Sequence, residues 1–196
     1  AEVNRQADAG VDFIKLYAGL TPPLVKAGID AAHARGLQAV GHLWLTDWKT
    51  AADLGIDGIV HALPLSDRQL PESARATYMK GIAGTQAMFQ WFEHADIAGA
   101  EMTAAARAMA ERGVSFDPTL VTVEAMFFGD ESRFTAQPSL ARVTPVMVEN
   151  WAAFTRSMSW TADDYRRAKR QFPRALALVG RLHRAGVRII AGTDLA

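Results

Sequence analysis

Strand-like and helix-like segments alternate three times within the first 63 residues of the chain. The strand-like segments are short apolar runs, and Gly36 and Gly55 close the helices that precede the second and third runs. Strands that are buried on both faces read as continuous apolar runs, and strands joined by helices pair in parallel. The alternation therefore predicts an α/β fold built on a parallel sheet.

The same pattern extends to the end of the chain, which is predicted to form one domain over residues 1–196. Strands are predicted at residues 11–17, 38–43, 58–63, 114–121 and 187–191. Helices are predicted at residues 22–35, 47–54, 73–79, 86–94, 101–112, 146–154, 162–169 and 172–184. Pro118 lies near the end of the fourth predicted strand, where a missing backbone N–H costs least.

Residues 122–171 form a long connection between the last two predicted strands. Because a structureless loop of this length is uncommon within a domain, we expect a helical insertion. Its large apolar residues are Met126, Phe127, Phe128, Trp151, Phe154, Met158 and Trp160. They favour either a small core within the insertion or a lid over the end of the sheet that the insertion follows.

Composition limits the classes of partner. Lys and Arg number 21 and so do Asp and Glu, so no net positive charge attracts nucleic acid or anionic lipid. The chain has no cysteine, which leaves histidine, carboxylate and modified lysine as metal ligands. No apolar run has the length of a transmembrane helix. A small-molecule partner is expected, an oligomer is compatible with the sequence, and the compartment, cytoplasmic or exported, is left open.

Four strand ends carry side chains that can bind a metal ion or act as nucleophiles: Lys15, His42, His61 and Asp194. The carboxyl ends of parallel strands open on one face of a barrel, so these side chains are expected to converge there. Each alone has an ordinary explanation. A histidine can be a satisfied core residue, a lysine head can reach solvent, and an aspartate can cap a helix. Their recurrence at successive strand ends favours a shared site.

Lys15 lies within an apolar strand, where an ammonium group is costly to desolvate. A neutral lysine is a nucleophile, which can form a Schiff base with a carbonyl substrate. It can also react with carbon dioxide to give a carbamate that bridges two metal ions. The residues alone leave open a Schiff-base lyase, a metal-dependent enzyme and a structural half-barrel without catalytic activity.

Five segments, in their order along the chain, resemble the metal-dependent amidohydrolase superfamily, in its imidazolonepropionase-like and Xaa-dipeptidase-like branch. These segments are FIKLY, AAHARGLQAVGHL, GIDGIVHAL, MAERGVSFDPTLV and AGVRIIAGTDLA. The resemblance covers nearly the whole chain. It implies a partial (β/α)8 TIM-type barrel that comprises strands four to eight.

The resemblance also implies a role for each strand-end residue. Lys15 would be a carboxylated lysine that bridges two metal ions, and His42 and His61 would bind metal. Asp194 would bind metal and transfer the proton. One or two divalent ions are implied in the complete enzyme, with zinc expected for imidazole ligands. The implied reaction is hydrolysis of an amide, peptide or cyclic amide C–N bond by a metal-activated hydroxide, on a small-molecule or dipeptide-like substrate.

Three further residues near the same strand ends are expected to contact the substrate. They are Tyr17, Trp44 and Thr119, the last of which follows Pro118 in the fourth predicted strand. The identity of the substrate is left open within the branch.

The chain departs from the family pattern because relatives carry a His-x-His pair on their first barrel strand, and these 196 residues contain none. The chain thus resembles an internal fragment that lacks strands one to three. By itself it is expected to be inactive and to bind metal weakly at best. His33, His94 and His183 lie on predicted helices and are expected at the surface.

Overall fold

The computed structural model describes residues 1–82 and 84–194 of the chain. One parallel sheet lies at its centre, and each strand pairs with the next along the sequence. The strands are Phe13–Leu16 (β1), Gln38–Gly41 (β2), Gly58–Val60 (β3), Ser115–Asp117 (β4) and Arg188–Ile189 (β5). The predicted α/β class and the parallel sheet are confirmed.

Helices fill the connections between these strands. They are Glu2–Asp8 (α1), Pro22–His33 (α2), Trp48–Leu54 (α3), Glu72–Gly81 (α4), Ala87–His94 (α5), Ala100–Glu111 (α6), Leu120–Phe127 (α7), Ser132–Thr135 (α8), Pro145–Ser157 (α9) and Ala162–Arg184 (α10). Short 3-10 turns occupy Asp67–Gln69, Gly84–Gln86 and Pro138–Arg142. The sequence pattern did not predict α1, because this helix buries no residue and so has no apolar stripe. Among the described residues, no helix is long and apolar enough to span a membrane.

Local sequence sets the ends of the helices that precede the strands. The Asp47 side chain caps α3 by accepting a hydrogen bond from the backbone N–H of Thr50 at 2.9 Å. The same helix ends at Gly55, whose φ of 96° is left-handed and suits glycine. Thr161 and Asp164 form a reciprocal capping box at the start of α10.

One face of the sheet packs on helices and the other face is open. Ile14 and Leu16 of β1 are buried, whereas Phe13 and Tyr17 are 52% and 60% exposed. Alternate residues of a strand point to opposite faces, so this pattern assigns the first pair to the helix side. In a closed (β/α)8 barrel the opposite face is the interior.

All five strands are shorter than predicted, and the fourth and fifth lose more than half of their predicted length. β4 ends at Asp117, and Leu120 and Val121, which were predicted as strand, instead begin α7. Pro118 has no N–H to extend the ladder, and Thr119, with φ 41°, turns the chain into the helix. β5 contains two residues instead of five, because in the described part of the chain it pairs only with β4.

Residues 162–184 form one helix, whereas two were predicted. Pro173 lies inside α10, where a proline typically costs about 3 kcal/mol of helix stability. The residues that α10 buries lie on both sides of this proline: Tyr165, Ala168, Ala175, Leu178 and Leu182. Burial of this stripe against the core keeps the helix continuous across Pro173.

The connection between β4 and β5 is helical, as predicted. Four of its large apolar residues join the main core, not a separate one: Met126, Phe127, Met158 and Trp160. The Trp160 ring lies 5.1 Å from the Phe89 ring and 5.4 Å from the Tyr165 ring, measured between centroids. In contrast, α9 buries no residue and Phe154 is exposed. The lid role of the insertion stays a prediction.

Candidate functional site

The ends of β2 and β3 bring two histidines together. The centroids of the His42 and His61 rings are 4.6 Å apart, and the rings meet edge to face at 72°. The backbone fixes both positions, because His42 N–H donates to the Leu16 carbonyl at 3.0 Å and His61 N–H donates to the Asp117 carbonyl at 2.7 Å. Parallel pairing of the strands thus places the two rings at one end of the sheet.

Lys15 and Asp194 lie at this same end. Asp194 Oδ1 is 3.9 Å from His61 Nε2. Lys15 Nζ is 6.0 Å from the centroid of the Tyr17 ring, which lies 4.8 Å from the His42 ring. Lys15 is exposed, because it projects from the open face of β1. The structure therefore brings together all four strand-end residues that the sequence singled out.

Burial and nearby positive charge lower the pKa of both histidines. Burial is the largest cause at His42, and the charges of His61 and Lys15 add to it, so the pKa falls to about 4 although Asp194 opposes the shift. At His61, burial and Lys15 lower the pKa, while Asp194 and Asp117 act in the opposite direction. Both imidazoles are therefore neutral at pH 7, and each has a nitrogen lone pair for a hydrogen bond or a metal ion.

Thr119 contacts the other side of the His61 ring. Its Oγ1 lies 2.8 Å from His61 Nδ1, and the two residues are only 3% and 5% exposed. A hydroxyl can donate to a ring nitrogen or accept from it, depending on the histidine tautomer. The role of Thr119 as a substrate contact stays a prediction, and the structure shows its hydroxyl engaged with His61.

Three residues of the site have left-handed backbone conformations. His61, Thr119 and Asp194 have φ values of 71°, 41° and 51°, and they are three of the five described non-glycine residues with positive φ. Such conformations are uncommon outside glycine and cost of order 1–3 kcal/mol each. The surrounding structure holds these three residues against that cost, which is typical of functional sites.

Asp117 also belongs to this site, although it was not among the predicted site residues. Its Oδ1 accepts a hydrogen bond from the backbone N–H of Thr119 at 3.1 Å. Its carboxyl group lies directly against Gly192, where any Cβ would overlap it. The available signal was Pro118, because a strand that ends before this proline places Asp117 at the strand end.

The other two predicted substrate contacts differ in accessibility. Tyr17 is 60% exposed on the open face, beside the His42 ring. Trp44 lies in the loop after His42 and is partly buried against the core. Of the two, Tyr17 offers the larger free surface to a ligand.

The remaining histidines lie away from the site. His33 and His183 are exposed, as expected, and His33 Nε2 lies 2.8 Å from Asp57 Oδ2. His94 was also expected at the surface but is half-buried, because its ring packs near that of Tyr78, with the centroids 6.0 Å apart.

The side chains of the site match part of the ligand set that a divalent metal ion requires. Two neutral imidazoles and a carboxylate are ligands that zinc accepts. Within residues 1–82 and 84–194, however, no three His, Cys, Asp or Glu side chains are placed together to hold a metal ion. Catalytic zinc sites use three protein ligands. His42 and His61 with Asp194 therefore fit such a site only when their side chains move closer or another ligand joins them.

Comparison with known proteins identifies the fold. No protein-family model and no curated protein matches the sequence. Among solved structures, a bottromycin amidohydrolase is similar, with a TM-score of 0.64 and 23% identity over 98% of this chain and 40% of its own. The chain therefore shares the fold of part of that protein.

Two further structures agree with this fold. An uncharacterized protein aligns with a TM-score of 0.54 and 16% identity over 99% of this chain and 37% of its own. A Xaa-Pro dipeptidase with methionine bound in its active site aligns with a TM-score of 0.50 and 19% identity over 97% of this chain and 36% of its own. The chain thus spans at most 40% of the length of these proteins. The partial barrel that the sequence predicted is confirmed as a fold.

Proposed function

We propose that this chain forms part of a metal-dependent hydrolase that cleaves an amide, peptide or cyclic amide C–N bond. The proposal depends on one observation, the meeting of two neutral imidazoles and the Asp194 carboxylate at the carboxyl ends of parallel strands. Barrels of this type build their sites at that end. A fold alone does not select a reaction. The arrangement of the two imidazoles and the Asp194 carboxylate is therefore the main support for the proposal, and the fold is additional support.

His42 and His61 are the residues proposed to hold a divalent ion, and zinc is proposed because it is one of the ions that neutral imidazoles suit. Asp194 and a carboxylated Lys15 are proposed as oxygen ligands at the same place. When bound, the ion would lower the pKa of a water molecule and polarise the scissile carbonyl.

Asp194 is proposed as the residue that moves the proton. Its side chain is 43% exposed while its Oδ1 lies 3.9 Å from His61 Nε2, so the carboxylate faces both solvent and the histidine pair. A carboxylate in this position can accept a proton from the attacking water and pass it to the leaving nitrogen. Its left-handed backbone supports the proposal, because a strained residue is retained where its orientation matters.

Tyr17 and Trp44 are proposed to contact a small-molecule or dipeptide-like substrate. Tyr17 supports this role best, because its ring is exposed within 4.8 Å of the His42 ring, between centroids. An exposed aromatic ring on the open face can pack on an apolar part of a substrate.

Elemental analysis and hydrolysis assays on the complete protein test this function. His42→Asn and His61→Asn should each lower both bound zinc and the cleavage of a dipeptide panel. His183→Asn is the matched control, because His183 is exposed on α10, and should change neither quantity. Full zinc content and full hydrolysis in both site variants would refute the proposal. Borohydride trapping of a substrate adduct on Lys15, with no zinc present, would instead support a Schiff-base lyase.

A further inference from the structure

The contact between Thr119 and His61 is a side-chain contact of the site that the proposed reaction does not use. Thr119 Oγ1 and His61 Nδ1 are 2.8 Å apart, and both side chains are buried. A buried imidazole nitrogen without a partner is costly, so this hydroxyl satisfies Nδ1. It also leaves Nε2 as the nitrogen that faces Asp194, at 3.9 Å from Oδ1.

A hydroxyl is distinctive as a partner because it serves both neutral tautomers of histidine. When Nε2 carries the proton, it points toward Asp194 and Nδ1 accepts a hydrogen bond from the Thr119 hydroxyl. When Nδ1 carries the proton, it donates to Thr119 Oγ1 and Nε2 presents a lone pair. A carboxylate or a carbonyl could only accept, and would therefore support the second tautomer alone.

The backbone of Thr119 supports a specific role for this side chain. Its φ of 41° lies in the left-handed region, where a β-branched residue is a genuine outlier. The Asp117 carboxylate helps to hold that conformation by accepting the Thr119 N–H at 3.1 Å. A glycine would adopt the turn with less strain, but it would bring no hydroxyl to His61.

We propose that Thr119 is a positioning residue for His61: its hydroxyl satisfies Nδ1 in either tautomer, so that Nε2 is free to face Asp194 or to bind a cation. The cation-binding part of this inference rests on the proposed function. The positioning part does not, because the contact exists in the protein alone.

The experiment compares Thr119→Val, which keeps the branched shape without the hydroxyl, with Thr119→Ser, which keeps the hydroxyl. Long-range proton–nitrogen NMR spectra of the ¹⁵N-histidine-labelled complete protein report the state of each ring nitrogen, and His61→Gln identifies the His61 signals. Without metal, Thr119→Val should shift the His61 Nδ1 signal away from its hydrogen-bonded position, and Thr119→Ser should retain the wild-type position. The His42 signals serve as an internal reference, because Thr119 contacts the other ring.

Zinc titration of the same samples tests the cation-binding part of the inference. Loss of an outer partner of a metal-binding histidine typically weakens metal affinity about 10- to 100-fold, so Thr119→Val should show that loss and Thr119→Ser should not. If wild-type protein binds no zinc, the proposed function fails, while the metal-free spectra still decide the role of Thr119. An unchanged His61 Nδ1 signal in Thr119→Val, or a shifted one in Thr119→Ser, would overturn the inference. Should Thr119→Val fail to fold, Thr119→Ala also removes the hydroxyl and relieves the β-branched strain.

Discussion

A methyl group added at Gly192 is expected to displace the Asp117 carboxylate and destabilise the site end of the sheet. In Gly192→Ala the new Cβ would lie no more than 2.9 Å from each atom of the Asp117 carboxyl group. Real Cβ atoms do not approach other atoms so closely, so the carboxylate must rotate away. The hydrogen bond from Thr119 N–H to Asp117 Oδ1 is then lost.

The magnitude follows from that lost bond. A hydrogen bond to a charged acceptor contributes about 1.5–3 kcal/mol to the free energy of unfolding. For a domain of this size, 1 kcal/mol shifts the melting temperature by about 2–4 °C. Gly192→Ala should therefore lower the melting temperature by about 3–12 °C, measured by circular dichroism.

Gly19→Ala is the matched control, because a Cβ there meets no atom within 4 Å and should cost little. A double-mutant cycle isolates the cause. In an Asp117→Ala background the space beside Gly192 is free, so Gly192→Ala should cost clearly less than in wild type. An equal cost in both backgrounds would refute the overlap as the reason for the instability.

Three further outcomes are expected. Under the proposed function, Lys15→Ala should lower zinc content and hydrolysis together in the complete protein, and added short carboxylic acids should partly restore both by replacing the oxygens of the proposed carbamate. Full metal content and full activity would contradict the proposed role of Lys15. Leu178→Ala should lower the free energy of unfolding by about 2–5 kcal/mol in urea denaturation, because Leu178 is fully buried. Leu176→Ala on the same helix should change it by less than about 1 kcal/mol, because Leu176 is 46% exposed, and similar losses for the two variants would contradict the burial pattern. Tyr17→Ala should raise KM more than it lowers kcat in a dipeptide assay, and an unchanged KM would exclude a substrate contact.

The order of strands and helices could be predicted because it depends on local periodicity. Apolar runs such as residues 58–60 and glycine stops such as Gly55 act over a few positions, and they appear directly in the sequence. The end of β4 depends on a competition at Pro118 between an apolar run and a missing N–H, which periodicity does not resolve. The continuity of α10 across Pro173 depends on burial against distant elements. The end of β4 and the continuity of α10 could therefore be determined only from the structure.

The candidate site, like the fold, could be predicted only in part from the sequence. His42, His61 and Asp194 could be selected because chemistry-bearing residues at parallel strand ends must share one edge of the sheet. The contacts of Thr119 and Asp117 could not be selected. They depend on a left-handed turn at Thr119 and on the close approach of Gly192, which join positions about 60 to 75 residues apart in the sequence.

The strictly sequential strand order has a consequence for how the site assembles during folding. Each strand pairs with its predecessor, so no pairing has to wait for a strand that the ribosome synthesises after the two strands concerned. The backbone partners of His42 and His61 are Leu16 of β1 and Asp117 of β4, so both imidazoles are held once the first four strands have paired, before Asp194 has been synthesised. We infer that the histidine pair forms first during folding and that the Asp194 carboxylate joins it afterwards. Pulse-labelled hydrogen exchange during refolding should show protection of the amides of β2 and β3 before those of β5, and the reverse order would contradict this sequence of events.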